Sequence, residues 1–187
     1  DHRMRVLFPS GISGATHSTA DGQYDVLERP IKLPDATGWR EKPFATHPMW
    51  SFVDVTNGKE GLGVVADGLI EYEVVDNAER TIAITLLRGF GKFVFGRPTP
   101  GSQCLGTRSY RFQVCPHRGT WRDAGLLRRG QRHLVSVQAL QSAPTKGSGA
   151  ARRSFLRIEG DAAEFGAVKL GEDGKRLVVR MWNTSDS

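Results

Sequence analysis

Cysteine is scarce in this chain of 187 residues, limited to Cys104 and Cys115. Two cysteines cannot supply the dense disulfide framework of a small secreted fold, so reduced thiols are expected. A Cys104–Cys115 bridge across a hairpin is the alternative in an oxidising compartment. Long apolar runs are missing too. None approaches the roughly 20 residues that cross a bilayer, so no membrane partner is expected. The opening DHRMRVLFPSG has basic residues but neither a long apolar stretch nor a small-residue cleavage site, which argues against a signal peptide and for a cytoplasmic location. A first residue of Asp rather than Met suggests a processed product or a piece of something longer.

Catalytic signatures are equally thin. Paired carboxylates for glycoside cleavage could be sought among Asp54, Asp67, Glu71 and Glu73, but acids at strand edges are usually solvated. Cys115-Pro116-His117 places one Cys and one His close together, with Cys104 too distant for a zinc-finger spacing, so no metal ligands are expected. His2, His17, His47 and His133 are scattered singly. A phosphate loop is absent, because GLGVVADG (residues 61–68) is followed by no helix whose N-terminus could hold an anion. A serine nucleophile elbow is absent as well. From the residues alone, there is no catalytic residue and no cofactor to assign in this chain.

The charge balance is basic. The formal net charge is +6, and Arg118, Arg122, Arg128, Arg129 and Arg132 crowd one segment. Aromatics do not interleave with them, so nucleic acid is a disfavoured partner, and a solvated face or an acidic partner domain is preferred. A composition 39% apolar and 25% charged is ordinary for a globular chain. The length suits a single domain over residues 1–187.

What the sequence does contain is β-structure, centred on residues 48–91. Ile70, Tyr72 and Val74 alternate with Glu71 and Glu73, the period of a half-buried strand. Asn57-Gly58 and Asp76-Asn77 stand between apolar runs as hairpin turns. The run TIAITLL at 81–87 is apolar on both faces, as in a covered central strand. Further strands are expected at 3–8, 24–27, 110–114, 133–140, 155–158, 167–170 and 176–182, the last two joined at Asp173-Gly174. Residues 10–23 and 97–107 read as loops, 142–154 as a mobile loop, and 38–48 as an irregular wrap anchored by Trp39 and Phe44. One short helix is expected to start at Thr120-x-x-Asp123 and stop at Gly130. The fold class is all-β, an antiparallel β-sandwich.

Several motifs in sequence order resemble the C-terminal region of family 38 glycoside hydrolases, the bacterial α-mannosidases in particular. They are DHRMRVLFP (1–9), ADGQYDVLERPI (20–31), HPMWSFVDVTNGKEGLGVVADGLIEYEV (47–74), ITLLRGFG (84–91), QCLGTRSYRFQVCPHRGTW (103–121) and LVVRMWN (177–183). This resemblance implies part of a galactose-mutarotase-like super-sandwich, C-terminal to a catalytic domain that holds an aspartate nucleophile and a zinc ion. The implied partners are that N-terminal catalytic domain and the parent's α-mannoside substrate; a homo-oligomer is left open. His117, Arg118 and Trp121 are then candidates for the rim of the parent's sugar site, against the alternative that His117 and Trp121 lock a turn onto the core. A free-standing carbohydrate-binding module, using Trp39, Trp50 and Trp121, is the rival reading.

Overall fold

The computed structural model describes residues 1–144, 146–160 and 162–185. The chain forms two compact units, Asp1–Ser136 and Val137–Ser187. The first holds two antiparallel sheets. One has four strands in the order β1 (His2–Phe8), β8 (Ile82–Gly89), β7 (Glu71–Val74), β4 (Thr46–Pro48). The other has five, in the order β3 (Val26–Pro30), β2 (His17–Asp21), β5 (Phe52–Thr56), β6 (Glu60–Ala66), β9 (Phe112–Arg118). Ala20, Val53, Val55, Val64 and Ala66 of the five-stranded sheet share one buried cluster with Tyr72, Val74, Ile82 and Ile84 of the other. The sheets therefore pack face to face as a β-sandwich.

Alternation decides what each strand offers. On β5, Val53 and Val55 enter the inter-sheet core, so Phe52, Asp54 and Thr56 point to the opposite face. Helix α1 (Leu126–Leu134) covers that outer face, burying Leu126, Leu127 and Gly130. Glycine makes its close approach feasible. A Cβ on Gly63 would fall 2.5 Å from Leu126 Cδ1, and one on Gly130 would fall 2.8 Å from Ser51 Cβ.

Strand β2 lies inside the segment expected to be a loop. Its sequence, HSTAD, has poor strand character, yet its last four residues are buried. Specific hydrogen bonds override propensity here. Ser18 Oγ lies 3.2 Å from the Tyr72 hydroxyl, which also accepts from Arg29 Nη1 at 3.3 Å. Asp21 Oδ1 accepts from the backbone N–H groups of Trp50, Ser51 and Phe52 at 3.2, 2.7 and 2.9 Å, and Oδ2 accepts from the Ser51 hydroxyl.

Other differences have local causes. The helix starts later than Thr120, with Gly125 at its N-cap, and runs through Gly130 because that glycine seats it on Ser51 rather than ending it. His133 and Leu134 are helical, and 135–140 is not a strand. Residues 155–158 form no strand either, and the expected mobile loop lies partly outside the described residues at position 145. The strand placed at 110–114 is shifted onward to 112–118. Pro116 is tolerated within it because β9 is an edge strand. Trp39 and Phe44 do not anchor the wrap; both are exposed. In the second unit, β10 (Ala163–Leu170) and β11 (Leu177–Asn183) pair as a hairpin, turning where Asp173-Gly174 was expected to turn.

The Asp21 carboxylate is the testable centre of this arrangement. Asp21→Ala leaves two backbone N–H groups, of Ser51 and Phe52, and the Ser51 hydroxyl without their acceptor, while the Trp50 N–H keeps the Asp21 carbonyl at 2.9 Å. A loss on the order of 3 kcal/mol is expected in urea denaturation, with Asp21→Asn losing less.

Candidate functional site

The three candidate site residues follow from how β9 ends. Cys115 and His117 point to the same side of the strand, toward α1, while Arg118 alternates to the other and is exposed. His117 lies opposite Gly61 on β6, and a Cβ there would fall 2.7 Å from His117 Nε2. The bare backbone of Gly61 lets the imidazole lie over the sheet. Its Nε2 sits 2.8 Å from Asp54 Oδ1, and Nδ1 sits 3.4 Å from the Arg118 carbonyl. The His117 side chain is only 6% exposed and that of Asp54 is fully buried. Among the described residues, Asp54 Oδ2 has no hydrogen-bond partner.

Beyond β9 the chain turns tightly at Gly119, whose φ of 72° suits glycine. Its carbonyl accepts from Thr56 Oγ1 at 2.7 Å. Asp123 closes the turn, accepting from both the backbone N–H and the hydroxyl of Thr120 at 2.8 Å. Those bonds, the backbone one first, hold its carboxyl below the usual range. The expected cap thus exists with its roles reversed, the acid serving Thr120. Trp121 is half-buried between the Phe52 ring, 6.0 Å away by centroids, and the Arg122 guanidinium, 4.4 Å from its own ring centroid.

The structure therefore brings His117 and Trp121 to one face and gives each a packing partner, leaving Arg118 as the member open to solvent. The other carboxylates singled out from the sequence are all engaged. Glu71 accepts from Thr85 Oγ1 at 2.6 Å and pairs with Arg3 at 3.0 Å and Arg88 at 3.2 Å; Glu73 pairs with Arg5 at 2.5 Å and Asp67 with Arg111 at 2.9 Å. Cys115 is buried and Cys104 partly so, both as free thiols. Burial pushes the Cys115 thiol up, away from the reactive thiolate. No group of three or more His, Cys, Asp or Glu among the described residues could hold a metal ion.

Sequence reasoning missed the Asp54–His117 contact, although Gly-Leu-Gly at 61–63 carried its signal. Two glycines on one strand face mark close approach by other atoms. Here they admit an imidazole and a leucine.

No family model matches the chain. It is 32% identical, over 98% of its own length, to the "Putative mannosylglycerate hydrolase" of Halalkalibacterium halodurans, of which it covers 20%. It superposes on the solved structure of an α-mannosidase from Enterococcus faecalis V583 with a TM-score of 0.84 at 31% identity, over 98% of this chain and 20% of that one. The chain matches a segment of family 38 glycoside hydrolases. A second solved structure, of a family 38 protein from Enterococcus faecalis, agrees over 100% of this chain and 21% of its own, with a TM-score of 0.81 and 29% identity. This bears out the resemblance read from the motifs. The chain spans about a fifth of the length of the relatives it matches.

The two buried acids, Asp21 and Asp54, set the pH response expected of this chain. Burial is the largest influence on both Asp21 and Asp54 and raises each carboxyl above 3.8, outweighing the hydrogen bonds that pull the other way. A carboxyl raised by folding holds its proton more tightly in the native state. Its contribution to stability is complete below the unfolded value and is lost as pH climbs through the folded one. The native sequence should therefore lose stability relative to Asp54→Asn as pH rises from about 4 toward neutrality, read from urea midpoints. A gain over that range would show the acid to be stabilised by ionisation instead. Gly61→Ala should displace the His117 ring and cost about 1–3 kcal/mol, read the same way.

Proposed function

We propose that this chain is the C-terminal accessory sandwich of a family 38 α-mannosidase, a retaining, zinc-dependent enzyme whose nucleophile and metal ligands lie in an N-terminal catalytic domain. Its substrate class is α-mannosides, with mannosylglycerate, named for the Halalkalibacterium halodurans relative, as one instance. The observation that carries this reading is the superposition of nearly the whole chain on a fifth of an α-mannosidase. Engagement of the candidate carboxylates in ion pairs and buried contacts supports the same assignment, since none is held as an opposed acid and nucleophile. The role left to the segment is to support the catalytic domain. At the rim of the sugar site, exposed Arg118 would reach sugar hydroxyls, with His117 and Trp121 holding its turn.

The longer enzyme should hydrolyse α-mannosides and lose that activity with a zinc chelator, whereas the 187-residue chain alone should hydrolyse none. Hydrolysis by the isolated chain would reject the accessory role. Arg118→Ala in the longer enzyme should raise KM several-fold without moving Tm, and an unchanged KM would remove the rim assignment. Trp121→Ala should lower Tm through its contact with Phe52.

A carbohydrate-binding role of the chain by itself is favoured by one observation. Trp39 and Trp50 are 53% and 51% exposed, and indole faces suit the apolar faces of sugars. Titration with mannosides should quench or shift tryptophan fluorescence if this role is real; a flat titration removes it.

A further inference from the structure

Two hydrogen-bond acceptors face the two ring nitrogens of His117. Asp54 Oδ1 lies 2.8 Å from Nε2, and the Arg118 carbonyl lies 3.4 Å from Nδ1. A carbonyl cannot donate, so Nδ1 must carry a proton for its contact to exist. The Nε2–Oδ1 contact needs a second proton, on either atom. The pair therefore holds two protons and no net charge, as imidazolium with carboxylate or as imidazole with carboxylic acid. A second observation agrees. The Asp54 side chain is fully buried, and its Oδ2 has no hydrogen-bond partner among the described residues. With one proton fewer the pair would be an anion in that place, which burial penalises.

Ionisable groups approach the pair from several elements. On β9, Cys115 shares the cross-strand row of Asp54, and burial pushes its thiol up. In these rows β6 offers Gly61 and Gly63, which have no side chains. On β2, Thr19 is opposite Asp54, with His17 and Asp21 beside it on the same face; the Asp21 carboxylate is engaged by Ser51 and Phe52. From α1, Arg129 donates to the Ala124 carbonyl and acts on the Cys115 thiol against the effect of burial, and His133 lies about a turn beyond the contact of Gly130 with Ser51. In the turn, Asp123 is held low by Thr120 first and by His117 in smaller part, so its charge favours a positive ring.

We propose that Asp54 and His117 form a proton-operated latch on the turn at residues 118–123. With two protons the latch ties the end of β9 to β5 across Gly61. As pH rises, one proton leaves for water at the small exposed edge of the His117 ring. The proton that stays keeps the shorter Nε2–Oδ1 bond, and Nδ1 is left with a lone pair facing the Arg118 carbonyl. Two acceptors then oppose each other, and the carbonyl is released. The bonds of Thr56 to Gly119 and of Thr120 to Asp123 do not depend on that proton, so the turn loosens without unfolding.

Histidine-ring NMR on the full chain, labelled with nitrogen-15, reads the latch directly. His117 Nδ1 should be protonated at about pH 5 and bare at about pH 9, on either side of the range in which imidazoles titrate. Between those two conditions, amides 118–123 should exchange at least about threefold faster than their intrinsic pH dependence accounts for, while amides 52–56 stay protected. In Asp54→Asn the side-chain amide can donate to Nε2 whatever the pH. Nδ1 should then stay protonated throughout, and exchange of the turn should follow the intrinsic rate alone. A bare Nδ1 at the lower pH, or a protonated one at the higher, would overturn the proposal. So would a turn that still loosens with pH in Asp54→Asn, which would place the cause with His17, His133 or Asp123.

Discussion

The Asp21 carboxylate is the interaction on which most of the first unit depends. It sits at the end of a polar strand, fully engaged by the backbone that leads into β5 and by the Ser51 hydroxyl. That engagement fixes Ser51, and Ser51 is the surface on which Gly130 of α1 rests. Helix placement in turn sets Leu126 over Gly63, in the cross-strand row of Asp54 and Cys115 and next to the row of Gly61 and His117. One buried acid thus links β2, β5, β6 and the helix that covers them. A half-satisfied network at this position would be worse than an apolar one, which is why its four acceptor contacts matter together.

The same outer face explains why the sugar-rim candidates look structural. His117 lies flat over glycine and spends its ring nitrogens on Asp54 and a backbone carbonyl. Trp121 is packed between Phe52 and Arg122. These contacts shape a rigid turn that presents Arg118. Support of a neighbouring domain and a single contact to sugar hydroxyls, the roles proposed for it, are within the reach of such a turn.

Much of the fold was legible because strands and hairpins leave local marks. Tyr72 and Val74 are buried as their alternation requires, Asn57-Gly58 joins β5 to β6, and Asp173-Gly174 lies at the β10–β11 turn. Ile70 departs from the alternation, being exposed just before β7 begins. Strand β2 was illegible because Ser and Asp favour turns and loops and lie among Gly-rich flanks, and only Tyr72 and the backbone leading into β5 make them core residues. Gly130 misled for a similar reason. A glycine at a helix end and a glycine under a helix read alike until the opposing Ser51 is known. Of the site, the residues were legible in CPHRGTW, but their pairing was not, since Asp54 and His117 stand 63 positions apart.

The central claim is that this chain works as part of a larger enzyme and takes its function from there. The most direct measurement is the native size of the polypeptide in its source cells, by antibody detection on a denaturing gel. A band several times the 20.6 kDa of this chain is the result predicted. A band at 20.6 kDa would contradict the account and leave carbohydrate binding through Trp39 and Trp50 as the function to pursue.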